Sequence, residues 1–170
     1  MNTVTGKDGQ VPSVVAGTAT MGWWTPRGYL GGLTLSNDVG TPNTVLDISI
    51  GEAADSTNSY VMKLASAFTK NMNAAFASGT GNGGLWSGTL AANTWYTVYL
   101  IRKTSDGSVD IYADTSVSAA NIPSGYSAFR RIGSFLTTAG SAIVPFLQLG
   151  DSFTWMNPQS NLNGDITGTG

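Results

Sequence analysis

The sequence predicts an all-β fold: a two-sheet antiparallel sandwich of jelly-roll character with one short helix. Three observations predict it. Turn-forming residues recur at short intervals, at Asn37–Asp38, Pro42–Asn43, Asp55–Asn58, Gly79–Gly84, Asp106–Gly107, Pro123–Gly125, Gly140 and Asn157–Pro158. Short apolar runs lie between them, the rhythm of a sandwich or barrel rather than of alternating βαβ units. Several of those runs alternate apolar and polar residues, which is the period of a half-buried strand. A length of 170 residues with 41% hydrophobic content supplies the core of one domain.

Taken in order, residues 1–27 read as an N-terminal lead-in ordered by a partner, residues 28–156 as the β-sandwich domain, and residues 157–170 as a polar, Gly-rich tail with too little apolar content to fold alone. Tyr29–Leu35 is a short strand candidate. In Thr44–Ile50, Leu46, Ile48 and Ile50 alternate with Asp47 and Ser49. Tyr60, Met62 and Leu64 alternate with Val61 and Lys63 to give a third strand. From Ser66 to Ala77 the period changes: Phe68, Met72 and Phe76 are spaced by four, and Ala74, Ala75 and Ala77 favour helix. A short helix is expected there, the alternative being an apolar loop that plugs one end of the sandwich. The glycines of Gly79–Gly84 then predict a flexible loop. No Lys–Ser/Thr pair follows them, so a phosphate-binding loop is not indicated.

The strongest local signal is a β-hairpin over Thr94–Asp114. Trp95, Thr97, Tyr99 and Ile101 fall on one face, and Tyr96, Val98 and Leu100 on the other. Both faces are apolar, which predicts an interior strand covered on both sides. The turn centres on Asp106–Gly107, where glycine supplies the positive φ of a tight connection. Val109, Ile111 and Ala113 alternate with Asp110 and Tyr112 on the return strand. Arg131–Thr137 and Ala142–Leu149 predict a further pair of strands, and Phe153 and Trp155 a last one. No fixed internal period is present, which disfavours a propeller or solenoid.

Composition restricts the chemistry. Cysteine and histidine are both absent, so Ser-His-Asp and Cys-His nucleophile systems, thiolate or imidazole zinc sites and disulfides are excluded within one chain. No cofactor or metal is indicated. Net charge is −2, from 8 basic and 10 acidic residues, with no basic run of the kind that marks a nucleic-acid footprint. No apolar stretch reaches the ~18 residues of a membrane-spanning helix. Met1–Gln10 lacks the apolar core of a signal peptide. Charged residues are only 11%, against about 25% in an average domain. The surface is therefore expected to be uncharged and polar and to be covered in part by other copies, between which like-charge repulsion is small.

Few constellations remain for a site. Asp110 and Asp114 share a strand face at roughly 13 Å by the strand rise, too far apart for a glycosidase pair, and are expected on the strand exterior. Gly51–Asn58 offers Glu52, Asp55, Ser56 and Asn58 as oxygen donors without the spacing of a calcium loop, and reads as a polar turn. Tryptophan is frequent, with 5 in the chain. Trp23, Trp24, Trp86 and Trp155 are candidate contacts to a glycan or to a subunit interface, and Trp95 is expected in the core. Arg130 and Arg131 are candidate interface or anion contacts, the plainer reading being a salt bridge.

The stretch from Leu33 to Leu149 resembles a domain of structural proteins of tailed bacteriophages, chiefly tail-fibre and host-adhesion proteins. The resemblance rests on Leu33–Thr34–Leu35–Ser36–Asn37, on Leu46–Asp47–Ile48, and on the Lys-containing segment Phe68–Phe76 leading to Gly81–Gly84. It continues through Thr94–Trp95–Tyr96–Thr97–Val98 and a hairpin ending Val109–Asp110. The most specific matches are Pro123–Ser124–Gly125–Tyr126 and Arg130–Arg131–Ile132–Gly133. The hairpin alone is also similar to concanavalin- and laminin-G-like jelly rolls. The resemblance implies a non-enzymatic virion protein, made in the host cytoplasm and trimeric, that acts in assembly with other virion proteins and in attachment to a host-surface glycan. Here the chain turns polar soon after Trp155, a departure from the family pattern. A glycan-binding module and a surface-polysaccharide depolymerase are the alternative functions.

Overall fold

In a computed structural model, the structure describes residues 10–15, 18–23, 28–150 and 152–156. It is β throughout, with no helix among the described residues. The strands are β1 Gln10–Val15, β2 Thr18–Trp23, β3 Leu30–Gly32, β4 Leu35–Asn37, β5 Val45–Ile48, β6 Gly51–Ala54 and β7 Val61–Leu64. There follow β8 Phe68–Ala75, β9 Gly83–Leu85, β10 Trp95–Lys103, β11 Val109–Asp114, β12 Tyr126–Leu136, β13 Phe146–Leu149 and β14 Ser152–Trp155. Nine of them form one sheet in the order β12-β10-β11-β9-β8-β5-β4-β13-β14. A second sheet is β3-β6-β7, and β1 and β2 pair only with each other.

The nine-stranded sheet is curled into a half-barrel. Gly133 on β12 lies against residues from the far side of the strand order: a Cβ there would sit 2.5 Å from Leu35 Cδ1 and 3.0 Å from Phe153 Cζ. Trp95, at the start of β10, meets Trp155 of β14 with ring centroids 5.5 Å apart. Inside the curl, Leu35, Leu46, Ile48, Met72, Val98, Leu100 and Phe135 pack with Met62 and Leu64 of the small sheet. Each such side chain contributes about 1.5–3 kcal/mol relative to exposure. The small sheet is also tied to the large one by Ser56 N–H donating to Phe129 O at 2.8 Å and by Arg102 lying 4.2 Å from the Tyr60 ring.

The hairpin is present as β10 and β11, from Thr97 opposite Asp114 to Arg102 opposite Val109. Gly107 takes φ 76° in its turn. Both faces of β10 are covered, as its two apolar faces require. Tyr99, Ile101, Tyr112 and Ala119 form a second cluster, flanked by Phe76, Ile122, Tyr126 and Phe129. The cover is the β11–β12 connection folded back over the sheet. Trp95 departs from the expected core placement and is 53% exposed, because it is the first residue of the strand.

Three expectations are corrected. The segment expected to be helical is the strand β8, paired with β5 from Val45 opposite Asn71 to Ile48 opposite Phe68. A spacing of four is a multiple of two, so Phe68, Met72 and Phe76 fit a strand period as well as a helical one, and tertiary pairing overrides the alanine propensity. The end of the expected flexible loop is the buried strand β9, and β9 runs parallel to both β8 and β11, so the large sheet is not purely antiparallel. Gly83 is there because a Cβ would lie 2.0 Å from Ala75 O; the glycine serves close approach rather than mobility. Finally, Tyr29–Leu35 is not one strand. It breaks at Leu33, whose φ of 57° separates β3 from β4.

Candidate functional site

The solvated placement expected of the acids is corrected: Asp110 is 1%, Asp114 0% and Asp55 2% exposed. Lys70 and the β8–β9 loop cover Asp110, and the β11–β12 connection covers Asp114. Asp110 Oδ1 pairs with Lys70 Nζ at 2.8 Å. That ammonium also donates to Ala77 O at 2.8 Å and Gly79 O at 2.9 Å, which uses its three protons. Asp110 Oδ2 accepts from Gly79 N–H at 2.7 Å. Burial lowers the Lys70 pKa, and the Asp110 carboxylate opposes that shift. Asp114 accepts from Ser116 N–H at 3.0 Å, Asn121 Nδ2 at 3.0 Å and Tyr112 O–H at 3.2 Å. Burial, then Asp114, pushes the Tyr112 pKa far up. Both carboxylates are thus held in bonds that pin loops: Asp110 with Lys70 holds residues 77–83, and Asp114 holds residues 116–121.

The Gly51–Asn58 donors do not converge. Glu52 accepts from Tyr29 O–H at 3.2 Å. Asp55 closes a tight turn, taking Ser59 N–H and Tyr60 N–H at 2.7 Å each on Oδ1 and Thr57 N–H at 3.0 Å on Oδ2. Burial raises the Asp55 pKa, but the bonds from Thr57, Tyr60 and Ser59 win and hold it below the usual carboxylate range. Among the described residues no three carboxylates gather.

The concave feature that brings sequence-predicted residues together is the seam of the half-barrel. A cleft of about 370 Å³ is lined by Arg130, Arg131, Ile132 and Gly133 of β12, by Gln148 and Phe153 of β13 and β14, and by Gly28 and Leu30. Arg130 Nη2 donates to Gly28 O at 2.7 Å, and Arg131 Nη2 to Ser134 Oγ at 2.9 Å. The salt bridge offered as their plainer role is absent among the described residues, where the ion pair is Lys70–Asp110. A bulge sets the geometry: Val98 opposes Gly133 while Tyr99 opposes Arg131, leaving Ile132 as the extra residue. Gln148 is already committed, its Oε1 accepting from Leu35 N–H at 2.8 Å and its Nε2 donating to Gly150 O at 3.0 Å.

The tryptophans do not form one platform. Trp155 packs edge-on against Trp95 and lies 6.5 Å from Phe146. Trp86 follows β9, is 43% exposed, and its backbone N–H donates to Ala113 O at 3.1 Å. Trp24 and the side chain of Trp23 lie outside the described residues; the backbone of Trp23 closes β2 opposite Gln10. Sequence reasoning missed Leu30, Gly133 and Phe153 as cleft residues. Gly133, a glycine inside an apolar strand, carried the one signal of close approach. Comparison with known proteins gives no matching family model, no matching curated protein and no matching solved structure.

Proposed function

We propose that the chain is a non-enzymatic structural protein of a bacteriophage virion, of tail or fibre type, which assembles as a homotrimer with other virion proteins and takes part in host-surface attachment. In this reading the small sheet and the curled large sheet are the two layers of a jelly-roll-like sandwich. The observation that carries the assembly role is the hairpin β1–β2, whose strands among the described residues pair only with each other. A two-stranded sheet alone in water is marginal, and a neighbouring copy supplies the surface that stabilises it. The charge-poor composition, 11% of residues, agrees, because it leaves little repulsion between copies. The bonds that consume Asp110 and Asp114 favour a structural use of these acids over a catalytic one.

The test is the mass in solution by light scattering, across concentrations down to the low micromolar range. A stable trimer is expected, and a monomer throughout that range would refute the assembly role. A glycan-binding module is the second reading, favoured by the exposed Trp95, which packs edge-to-face on the half-buried Trp155. It predicts saturable quenching of tryptophan fluorescence by neutral oligosaccharides that is lost in Trp95→Ala.

A further inference from the structure

Among the described residues the two ends of the curled sheet do not pair: β12 and β14 are its end strands, each with one neighbour in the sheet, and the Arg130–Phe153 cleft lies where they face each other. Its chemistry has two halves. A guanidinium carries five N–H donors. One on Arg130 is held by Gly28 O, a bond that fixes the side chain and leaves it further donors; Arg131, opposite Tyr99, bonds Ser134 Oγ on the other face of β12. Arg130 is half-buried and has no carboxylate within ion-pair distance among the described residues. A partly desolvated cation gains most from an opposite charge placed beside it. The other half is apolar: Leu30 and Ile132 line the wall, with the half-buried Phe153 ring across from them.

Size and shape narrow the occupant. At about 370 Å³ the cleft is at the small end of ligand pockets, roughly 300–1,000 Å³, room for one ring and its charged group. Gly133 keeps it open. A side chain at that position would displace the Phe153 ring, whose Cζ is 3.0 Å from the place a Cβ would take.

We propose that the seam between β12 and β14 binds one organic oxyanion, a phosphate or a carboxylate carried on a flat apolar ring. The anion sits on Arg130, and the ring lies against Phe153 and Leu30. Bound there, it bridges the two end strands and closes the half-barrel. The inference does not depend on the virion reading, since either can fail alone: one is read by oligomer mass, the other by ligand binding.

The experiment is calorimetric titration of the full chain at low ionic strength with phenyl phosphate, benzoate, inorganic phosphate and phenol. Hydrogen exchange by mass spectrometry is followed alongside. Phenyl phosphate or benzoate is expected to bind saturably, at least about ten-fold tighter than phenol, the scale of a charge-assisted hydrogen bond. Inorganic phosphate is expected to bind several-fold more weakly than phenyl phosphate. Amide exchange is expected to slow over Ser152–Trp155 and Arg130–Gly133 together. Arg130→Gln is expected to weaken the anions without affecting phenol, and Arg130→Lys, which keeps the charge, to retain part of the anion affinity; Arg131→Gln, on the other face of β12, is expected to leave it unchanged. Equal affinity for phenol and phenyl phosphate, no anion binding by the folded protein, or unchanged anion affinity in both Arg130 variants with no slowing at β14 would each overturn the proposal. Inorganic phosphate binding as tightly as phenyl phosphate would also overturn it, because the apolar wall would then contribute nothing.

Discussion

Lys70 is the side chain on which most of the β8–β9 loop depends. It is fully buried, ion-paired and bonded to two loop carbonyls. Removing one member of such a pair leaves an uncompensated charge, which costs about 3–5 kcal/mol. Lys70→Met is therefore expected to lose that much in urea denaturation, and adding Asp110→Leu to recover part of the loss. Strict additivity of the two would show that they do not interact. Asp55 gives a pH-dependent counterpart. Its folded pKa lies below the ordinary 3.8, so the stability it contributes is complete above the unfolded value and disappears as pH falls through the folded one. The stability gap between the unmodified protein and Asp55→Ala is expected to be constant from about pH 7 to pH 5 and to narrow below about pH 4. A gap that widens in acid would contradict the assignment. The roles of these residues were only partly legible. Two apolar faces on β10 did announce cover on both sides, but the β8–β9 loop with Lys70 and the β11–β12 connection also bury Asp110 and Asp114 on the neighbouring strand, a consequence that follows only once β11 is placed in the sheet.

At the scale of elements, strands with strict alternation were readable and strands made by close approach were not. β5 and β7 follow from alternating side chains with one buried face, and β10 and β11 from apolar residues on both faces about a glycine turn. β9 has no such pattern: Gly83 and Gly84 are in it because β8 passes too near for a side chain, and the chain returns parallel to β8 after a short loop built round Lys70. This separates two kinds of glycine in one sequence run. Gly83→Ala drives a Cβ to 2.0 Å from Ala75 O and is expected to cost about 3 kcal/mol or more, beyond ordinary overpacking. Gly81→Ala meets nothing within 4 Å and has φ +77°, so it is expected to cost only the left-handed backbone penalty of about 1–2 kcal/mol. Urea midpoints of the two variants compare them directly; equal losses would show that β8 and β9 are not in close contact.

For the whole molecule, the curl was beyond reach of the sequence, because it depends on which end strands approach, and no local period encodes that. Phe153 and Trp155 were recognised as strand residues, but not as the side chains that turn the far end of the sheet inward. Trp155 bridges Trp95 at the start of β10 and Phe146 of β13, and among the described residues β14 has no strand beyond it to add hydrogen bonds. Its hold on the half-barrel is therefore mainly side-chain burial. Trp155→Ala is expected to cost about 2 kcal/mol, as for a partly buried large side chain, and to shift the remaining tryptophan emission to the red as Trp95 becomes more exposed. Because stability in a folded protein is local as well as global, hydrogen exchange should accelerate most over Phe146–Leu149 and Ser152–Trp155. The hairpin β10–β11, buried on both faces, should keep nearly all its protection. Equal acceleration in both regions would mean that the seam and the hairpin open as one unit, and the half-barrel would then be held by its whole core rather than by the inward turn of β14.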